Sequence, residues 1–418
     1  MRAQLSLNSM EGSAMKKKPS LIVLILTSFS VFFLTLVPLY AELSGKVVKI
    51  GVYAPYTGLA AQYGISTKIA LDIAYDDIQK KIGGIPLELI FFDTGSKADQ
   101  AVSIMKKFIS MNDLLMVIGP CLSGEAEASF PIANKAGLPT LSPNAAVDGL
   151  TERNRPWTFR LREGTYEEAE DGVRQFRENF PNLRTCATIS DIKDRYNKKN
   201  GVELSPELLA KVGVKILKET TFQSGDIDYS AQVTQIKPLN PDFVLISAFA
   251  QDAANIAKQL RKQGMNQPIY GVSAGILEPS YLKLAGQAAN NTFYLSNWGV
   301  GRQEKPETQR LIKEWEKRFP SKGAEPASWH FWWYDALMLA RKVIEEEGVT
   351  NLPGEIDKDR LKIRKGLENL KDYQGTTYNI TITKNGEILI PKDRRMVIIR
   401  DGKYHWIMGP NNYVPMKF

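Results

Sequence analysis

The sequence predicts an α/β protein made of two similar, doubly wound parallel-sheet lobes. Three observations carry that expectation. Short β-branched runs alternate with helical stripes from Val47 onward, the pattern of a parallel sheet covered by helices. The alternation occurs twice, in two stretches of similar length separated by residues 159–164, which carry no helical period. At 418 residues, 43% hydrophobic and 24% charged, the chain can bury two cores of ordinary size.

Residues 1–41 stand apart from this alternation. Lys16, Lys17 and Lys18 precede an apolar run over residues 21–37, and Pro38 and Ala41 follow it. That order predicts a signal peptide cleaved near Ala41, and Met15 is a possible start. The apolar run is also long enough to serve as an uncleaved anchor. The chain carries 54 basic and 46 acidic residues, a net charge of +8; outside residues 1–41 the counts are 50 and 45, a net of +5. This excess is dispersed through mixed-sign helices, which describes a solvated surface and excludes a nucleic-acid-binding patch.

The first alternation begins with a strand over 47–53 and a loop over 54–58. A stripe of Ile65, Ile69, Ile73 and Ala74 predicts a helix that ends before Gly83 and Gly84. A strand follows over 87–92, with Asp93 at its carboxyl end, then a helix marked by Val102, Met105 and Ile109. Residues 114–118 are uninterrupted apolar, as in a strand buried on both faces. Ser123 and Gly124 open the next helix, with Glu125 and Glu127 in the first turn where the dipole favours carboxylates, and Gly137 closes it. Residues 139–141 form a strand that leaves through the loop 142–146.

The second alternation has a helix holding Tyr166, Val173 and Phe176 and strands over 185–190, 214–221, 243–249, 269–273 and 292–296. Its helices include 253–263, closed by Gly264. Around 296–298 the chain is expected to cross back. Helices over 304–319, 328–347 and 357–370 then complete the first lobe, with Trp329, Trp332, Trp333 and Leu337 forming a core face. From Thr377 short strands take over, with hairpin signals at Asn385-Gly386 and Asp401-Gly402.

Chemistry-bearing motifs are sparse. Two histidines and two cysteines offer no zinc-ligand spacing, and no phosphate-cradling loop occurs, so neither a metal nor another cofactor is expected. Residues 271–275 match the G-x-S-x-G nucleophile elbow, which would make a secreted serine hydrolase acting through Ser273. Pro279 follows too closely for the helix that the elbow needs, so Ser273 reads better as a loop residue at a cleft. Cys121 and Cys186 are assigned to different lobes and are expected to be free, buried thiols. Loops leaving neighbouring parallel strands share one rim, where α/β folds bind ligands. Ser123 at a helix start suits either an N-cap or a ligand oxygen. Tyr63 and Tyr196 offer aromatic walls with polar tips, and Phe249 an apolar one.

The segments IGVYAPYTGLAAQYG, IGPCLSG and GLPTLSP resemble, in order and spacing, the branched-chain amino-acid and amide binding proteins of ABC importers. The resemblance runs from about Val47 to Asn297 and more weakly beyond. It implies a type I periplasmic binding fold with a three-crossing hinge, lobe I over 46–162 and 297–380, and lobe II over 163–296 and 381–418. It also implies a receptor, not an enzyme, that closes on a small polar solute and delivers it to ABC permease subunits. Such a receptor would be a monomer exported to the periplasm or another extracytoplasmic space. A sensor of the same fold is the alternative. The family's ligand contacts fall at Tyr63, Ser123, Asn144, Ala145, Ala146, Tyr196, Phe249 and Ser273. Family members that bind amino acids hold the ammonium with an acid where this chain has Ser273, and often place threonine at Ala146 and tyrosine at Phe249. Those departures predict weak binding of ordinary α-amino acids and a preference for a carboxylate or amide without the amine. Asp191, Asp194 and Glu163 are the acids that could substitute.

Overall fold

The computed structural model describes residues 43–416 apart from 274, 277, 300, 301, 303, 320–325 and 390–393. The expected signal peptide therefore lies outside the described residues.

Two sheets, among the described residues, organise the chain. The first contains β1 (Val48–Ala54), β2 (Lys81–Ile82), β3 (Ile85–Asp93), β4 (Leu114–Ile118), β5 (Thr140–Ser142) and β6 (Thr158–Arg160), in the order β2-β3-β1-β4-β5-β6. All its pairings are parallel except the β2–β3 hairpin at the edge. Helices α1 (Ala61–Asp77), α2 (Ala98–Ile109) and α3 (Ser123–Ala136) are its crossovers. The β4 run is buried at every position, as a central parallel strand requires.

The second sheet repeats this plan. Strands β7 (Thr185–Asp191), β8 (Lys215–Phe222), β9 (Phe243–Ser247), β10 (Ile269–Gly271) and β11 (Thr292–Gly299) run parallel in the order β8-β7-β9-β10-β11. Its helices are α4 (Thr165–Asn179), α5 (Arg195–Lys198), α6 (Ser205–Lys211), α7 (Ser230–Ile236), α8 (Ala250–Lys262) and α9 (Pro279–Ala285). After β11 the chain returns to the first sheet with α10 (Pro306–Arg318), α11 (Phe331–Glu346) and α12 (Ile356–Glu368); α10 and α11 pack on α1, and α12 packs on β4. Trp329, Trp332, Trp333 and Leu337 are buried there, as their spacing predicted. A small hairpin, β12 (Tyr373–Gln374) with β13 (Asn379–Ile380), precedes the last passage. The antiparallel strands β14 (Arg394–Arg400), β15 (Lys403–Gly409) and β16 (Asn412–Pro415) then extend the second sheet beside β11. Asp401 and Gly402 turn the β14–β15 hairpin with φ of 50° and 70°, as the sequence signal required.

The chain thus passes between the sheets three times, after β6, after β11 and before β14. Buried ion pairs tie these passages together: Arg160 with Glu387, and Arg394 with Glu163. In each sheet strand order reverses direction at one point, between β1 and β4 in the first and between β7 and β9 in the second. Loops diverge there and leave a crevice at the strand carboxyl ends.

Candidate functional site

The two crevices face each other and enclose a cavity of about 50 Å³. By the roughly 10–15 Å³ that one water needs, it holds a few waters or the polar head of a small solute. Tyr63 reaches it from α1, following β1, and Leu122 and Ser123 from the start of α3, following β4. Asp194, Tyr196 and Asn197 come from the segment after β7, and Phe249 from the residue before α8, following β9. The first crossing supplies Arg162, β11 supplies Asn297 and α4 supplies Glu168. Asn144, Cys121 and Trp329 complete the lining. The cavity is thus lined from both sheets, by strand-end loops, helix starts and the passages between them.

Local chemistry explains the loop shapes. Gly119, at the end of β4, has φ +122°, and a Cβ there would lie 2.3 Å from the Tyr53 carbonyl oxygen; only glycine lets the chain turn into α3. The N-cap of α3 is Leu122, whose N–H donates to Glu125 Oε2 at 3.3 Å. Ser123 is therefore not the cap. Its Oγ accepts the N–H groups of Ala146 and Val147, at 3.0 and 3.3 Å, and ties the loop after β5 to the helix. Two bonds accepted leave the hydroxyl proton free to donate. Asp194 does cap its helix, accepting from the Asn197 N–H at 2.8 Å.

An aromatic wall closes one side. Tyr63 stacks on Trp329 with centroids 5.2 Å apart and meets Phe249 edge-on at 5.5 Å, a contact between the lobes. The opposite side is ionic. Arg162 pairs with Glu168, donates to the Asn144 carbonyl at 3.3 Å and lies over the Tyr196 ring at 5.2 Å. Glu168 also accepts the Tyr196 hydroxyl at 2.7 Å. Burial works against the Arg162 charge, but Glu168, Tyr196 and Glu163 together outweigh it and keep the guanidinium protonated. Burial pushes Asp194 up to about 6, against the hydrogen bonds from its backbone donors. Burial likewise pushes the Cys121 thiol well above its ordinary range, so it stays a thiol. Tyr63 Oη, Arg162 Nε and Trp329 Nε1 are buried donors without a protein partner.

Five of the eight expected contacts line the cavity: Tyr63, Ser123, Asn144, Tyr196 and Phe249. Ala145 and Ala146 do not. They are fully buried, their N–H groups held by Ser142 and Ser123. Ser273 does not either. Strand β10 ends at Gly271, and the Ser273 hydroxyl both donates to the Ala248 carbonyl at 2.8 Å and accepts its N–H at 3.0 Å. It faces a separate cavity of about 30 Å³ behind Glu168 and Tyr196. Of the acids named as substitutes, Asp191 is saturated by donors from residues 193, 197 and 224, and Glu163 is paired with Arg394; Asp194 alone reaches the cavity. Sequence reasoning missed Glu168, Arg162, Asn297 and Trp329. The last three lie in or beside the segments read as crossings and core, which was the available signal. Among the described residues, no group of three or more His, Cys, Asp or Glu could hold a metal ion.

Comparison with known proteins gives this geometry a family. A profile of periplasmic binding proteins matches residues 47–397. The chain belongs to the periplasmic binding protein family. It is a solute-binding receptor and not an enzyme. Among its relatives is the Leu/Ile/Val-binding protein BraC3 of Rhizobium johnstonii, 28% identical over 257 residues, 61% of this chain and 69% of that protein. The leucine binding protein LivK of Thermotoga maritima shares the fold with a TM-score of 0.75 at 22% identity, over 87% of this chain and 99% of that one. A solute binding protein of an ABC transporter from Rhodopseudomonas palustris, solved with 3,4-dihydroxy benzoic acid, also gives 0.75 at 17% identity, over 89% and 99%. Both cysteines are free, as expected.

Proposed function

We propose that this periplasmic binding protein is an extracytoplasmic receptor that closes on an α-amino acid and delivers it to the permease of an ABC importer. The observation that carries the reading is the charge of the lining. Arg162 and Glu168 neutralise each other, while Asp194 makes no ion pair among the described residues: its neighbour Arg195 is engaged by Glu127 and Glu203, and Lys193 by the Ser224 carbonyl. A half-buried carboxylate in that state favours a ligand with an ammonium group. The unspent donors, the Ser123 hydroxyl proton and the Tyr63 hydroxyl among them, suit the carboxylate of the same ligand. The side chain would continue past Leu122 and Phe249 into an adjoining chamber of about 200 Å³ that shares those residues and Asp194 with the cavity. Relatives named for leucine, isoleucine and valine binding support the class.

Closure follows from differential contact: a solute touching Ser123 of one lobe and Asp194 of the other binds the closed state better than the open one. This reading replaces the expectation drawn from Ser273, because the acid comes from a different loop. Calorimetry with leucine, isoleucine, valine, phenylalanine and 3,4-dihydroxybenzoate tests it. At least one amino acid should bind at micromolar Kd or tighter, and the benzoate at least tenfold more weakly. The reverse order would mean that the Tyr63–Trp329 stack selects an aromatic acid and that Asp194 is not an ammonium site.

A further inference from the structure

Behind the aromatic wall, away from the cavity lining, the lobes meet at a second polar contact. Glu278 precedes α9, which packs on α8 of the second lobe. Its carboxylate enters the first lobe, where Oε1 accepts the Ser66 hydroxyl of α1 at 3.0 Å and Oε2 meets His330 Nε2 at 3.2 Å. Glu278, Ser66 and His330 are each 0% exposed. By contrast, the Arg195–Glu127 pair that also spans the lobes is about one-third exposed on both sides.

The tautomer of His330 is set by its other nitrogen. Nδ1 accepts the Ala327 N–H at 3.1 Å, so the ring proton resides on Nε2 and is donated to Glu278. The ring cannot turn away cheaply: it stacks on Trp315 at 5.3 Å, and Trp329 packs against it at 4.0 Å. Trp315 Nε1 in turn donates to the Ser66 carbonyl at 3.1 Å, which steadies the other donor. The first lobe thus presents two preorganised donors, and the second lobe delivers one acceptor to both. Trp329 also stacks on Tyr63, so the contact adjoins the cavity wall.

We propose that Glu278 is a positioning residue that latches the closed lobes through Ser66 and His330 without touching the solute. When the lobes part, the carboxylate regains water and both donors lose their acceptor. Desolvation of Glu278 opposes closure and the two bonds favour it, so the latch works only if the bonds prevail. Hydrogen bonds to a charged group are stronger than those between neutral groups, and the net gain over water is less than their sum. A tenfold effect on the closed state is therefore a modest expectation. The inference is independent of the solute's identity.

Single-molecule energy transfer between one dye on each lobe, in the protein without added solute, reads the dwell time of the closed state. Glu278→Ala should shorten it at least tenfold, and Ser66→Ala, which removes one bond and one oxygen, should shorten it less. Leucine release, followed on the same molecules, should accelerate in the same order. Unchanged or longer dwell times in Ser66→Ala and Glu278→Ala would overturn the latch, even if melting temperatures fall. If Glu278→Ala does not fold, Ser66→Ala and His330→Phe decide the matter alone. Tight leucine binding with unaltered dwell times would refute the latch and leave the amino-acid reading standing. Shortened dwell times without leucine binding would do the opposite.

Discussion

Asp194 is the acid on which an ammonium ligand would depend, and its titration makes that role measurable. Burial holds its carboxyl at about 6 instead of the ordinary 3.8. Between pH 4 and 6 the ligand-free folded chain keeps a proton that the unfolded chain has lost, so stability falls as pH rises through that window. Asp194→Asn retains a capping oxygen and removes the half-buried charge. Its ligand-free melting temperature should exceed the parent's at pH 7.5 and match it near pH 4, as differential scanning fluorimetry would show. An ammonium ligand requires the ionised form. Leucine affinity should be flat above about pH 7 and drop by up to tenfold per unit below 6. The asparagine variant should lose roughly 30-fold or more at pH 7 and show no such slope. A parent profile flat from pH 5 to 8 would remove Asp194 from the ammonium site.

At the scale of elements, the site depends on how strands hand over to helices. The β4–α3 junction must place Leu122 and Ser123 at the cavity while passing Tyr53, and Gly119 makes this possible with φ +122°. Gly119→Ala should cost about 1–3 kcal/mol from backbone strain alone, with more from the 2.3 Å approach to the Tyr53 oxygen. Urea denaturation would report it as a lowered midpoint with unchanged slope. The Arg394–Glu163 pair between the passages is the other junction with a clear forecast. Both side chains are nearly inaccessible, so Glu163→Gln leaves a buried guanidinium with less compensation and should destabilise by up to about 3–5 kcal/mol. A loss below 1 kcal/mol would show that Asp171, 3.2 Å from Arg394 Nε, carries the neutralisation instead.

For the whole molecule, two sheets joined by three passages constrain covalent chemistry. Cys121 follows β4 of the first sheet and Cys186 lies in β7 of the second, and both are buried and free. Denaturation without reductant should expose two titratable thiols, and the folded protein should react slowly because burial raises both thiols. Zero thiols after denaturation would contradict this arrangement. Processing acts at the same scale: intact-mass measurement of the exported protein should give a chain beginning near Ala41, and retention of residues 21–37 would indicate an anchor.

Much of this was legible in the order of residues. The β/α alternation, its repetition, the continuous apolar run of β4, the closing Gly137 and the Asp401-Gly402 turn follow from local periodicity and backbone freedom. Each reports only a segment's own sheet or turn. The sequence by itself therefore determined two doubly wound lobes, their element order and the rim on which ligands bind. Which side chains meet at that rim was decided by tertiary structure. Ser273, expected at the cleft, lies outside the cavity because β10 ends two residues before it and its hydroxyl is consumed by Ala248, whereas Glu168 and Asp194 line the cavity. Glu278 and Ser66 are 212 positions apart and meet only because the fold brings the start of α9 against α1. No period encodes such a meeting: it depends on the passages between the sheets, and a shift of one residue in a strand-end loop turns a side chain from the cavity to the core.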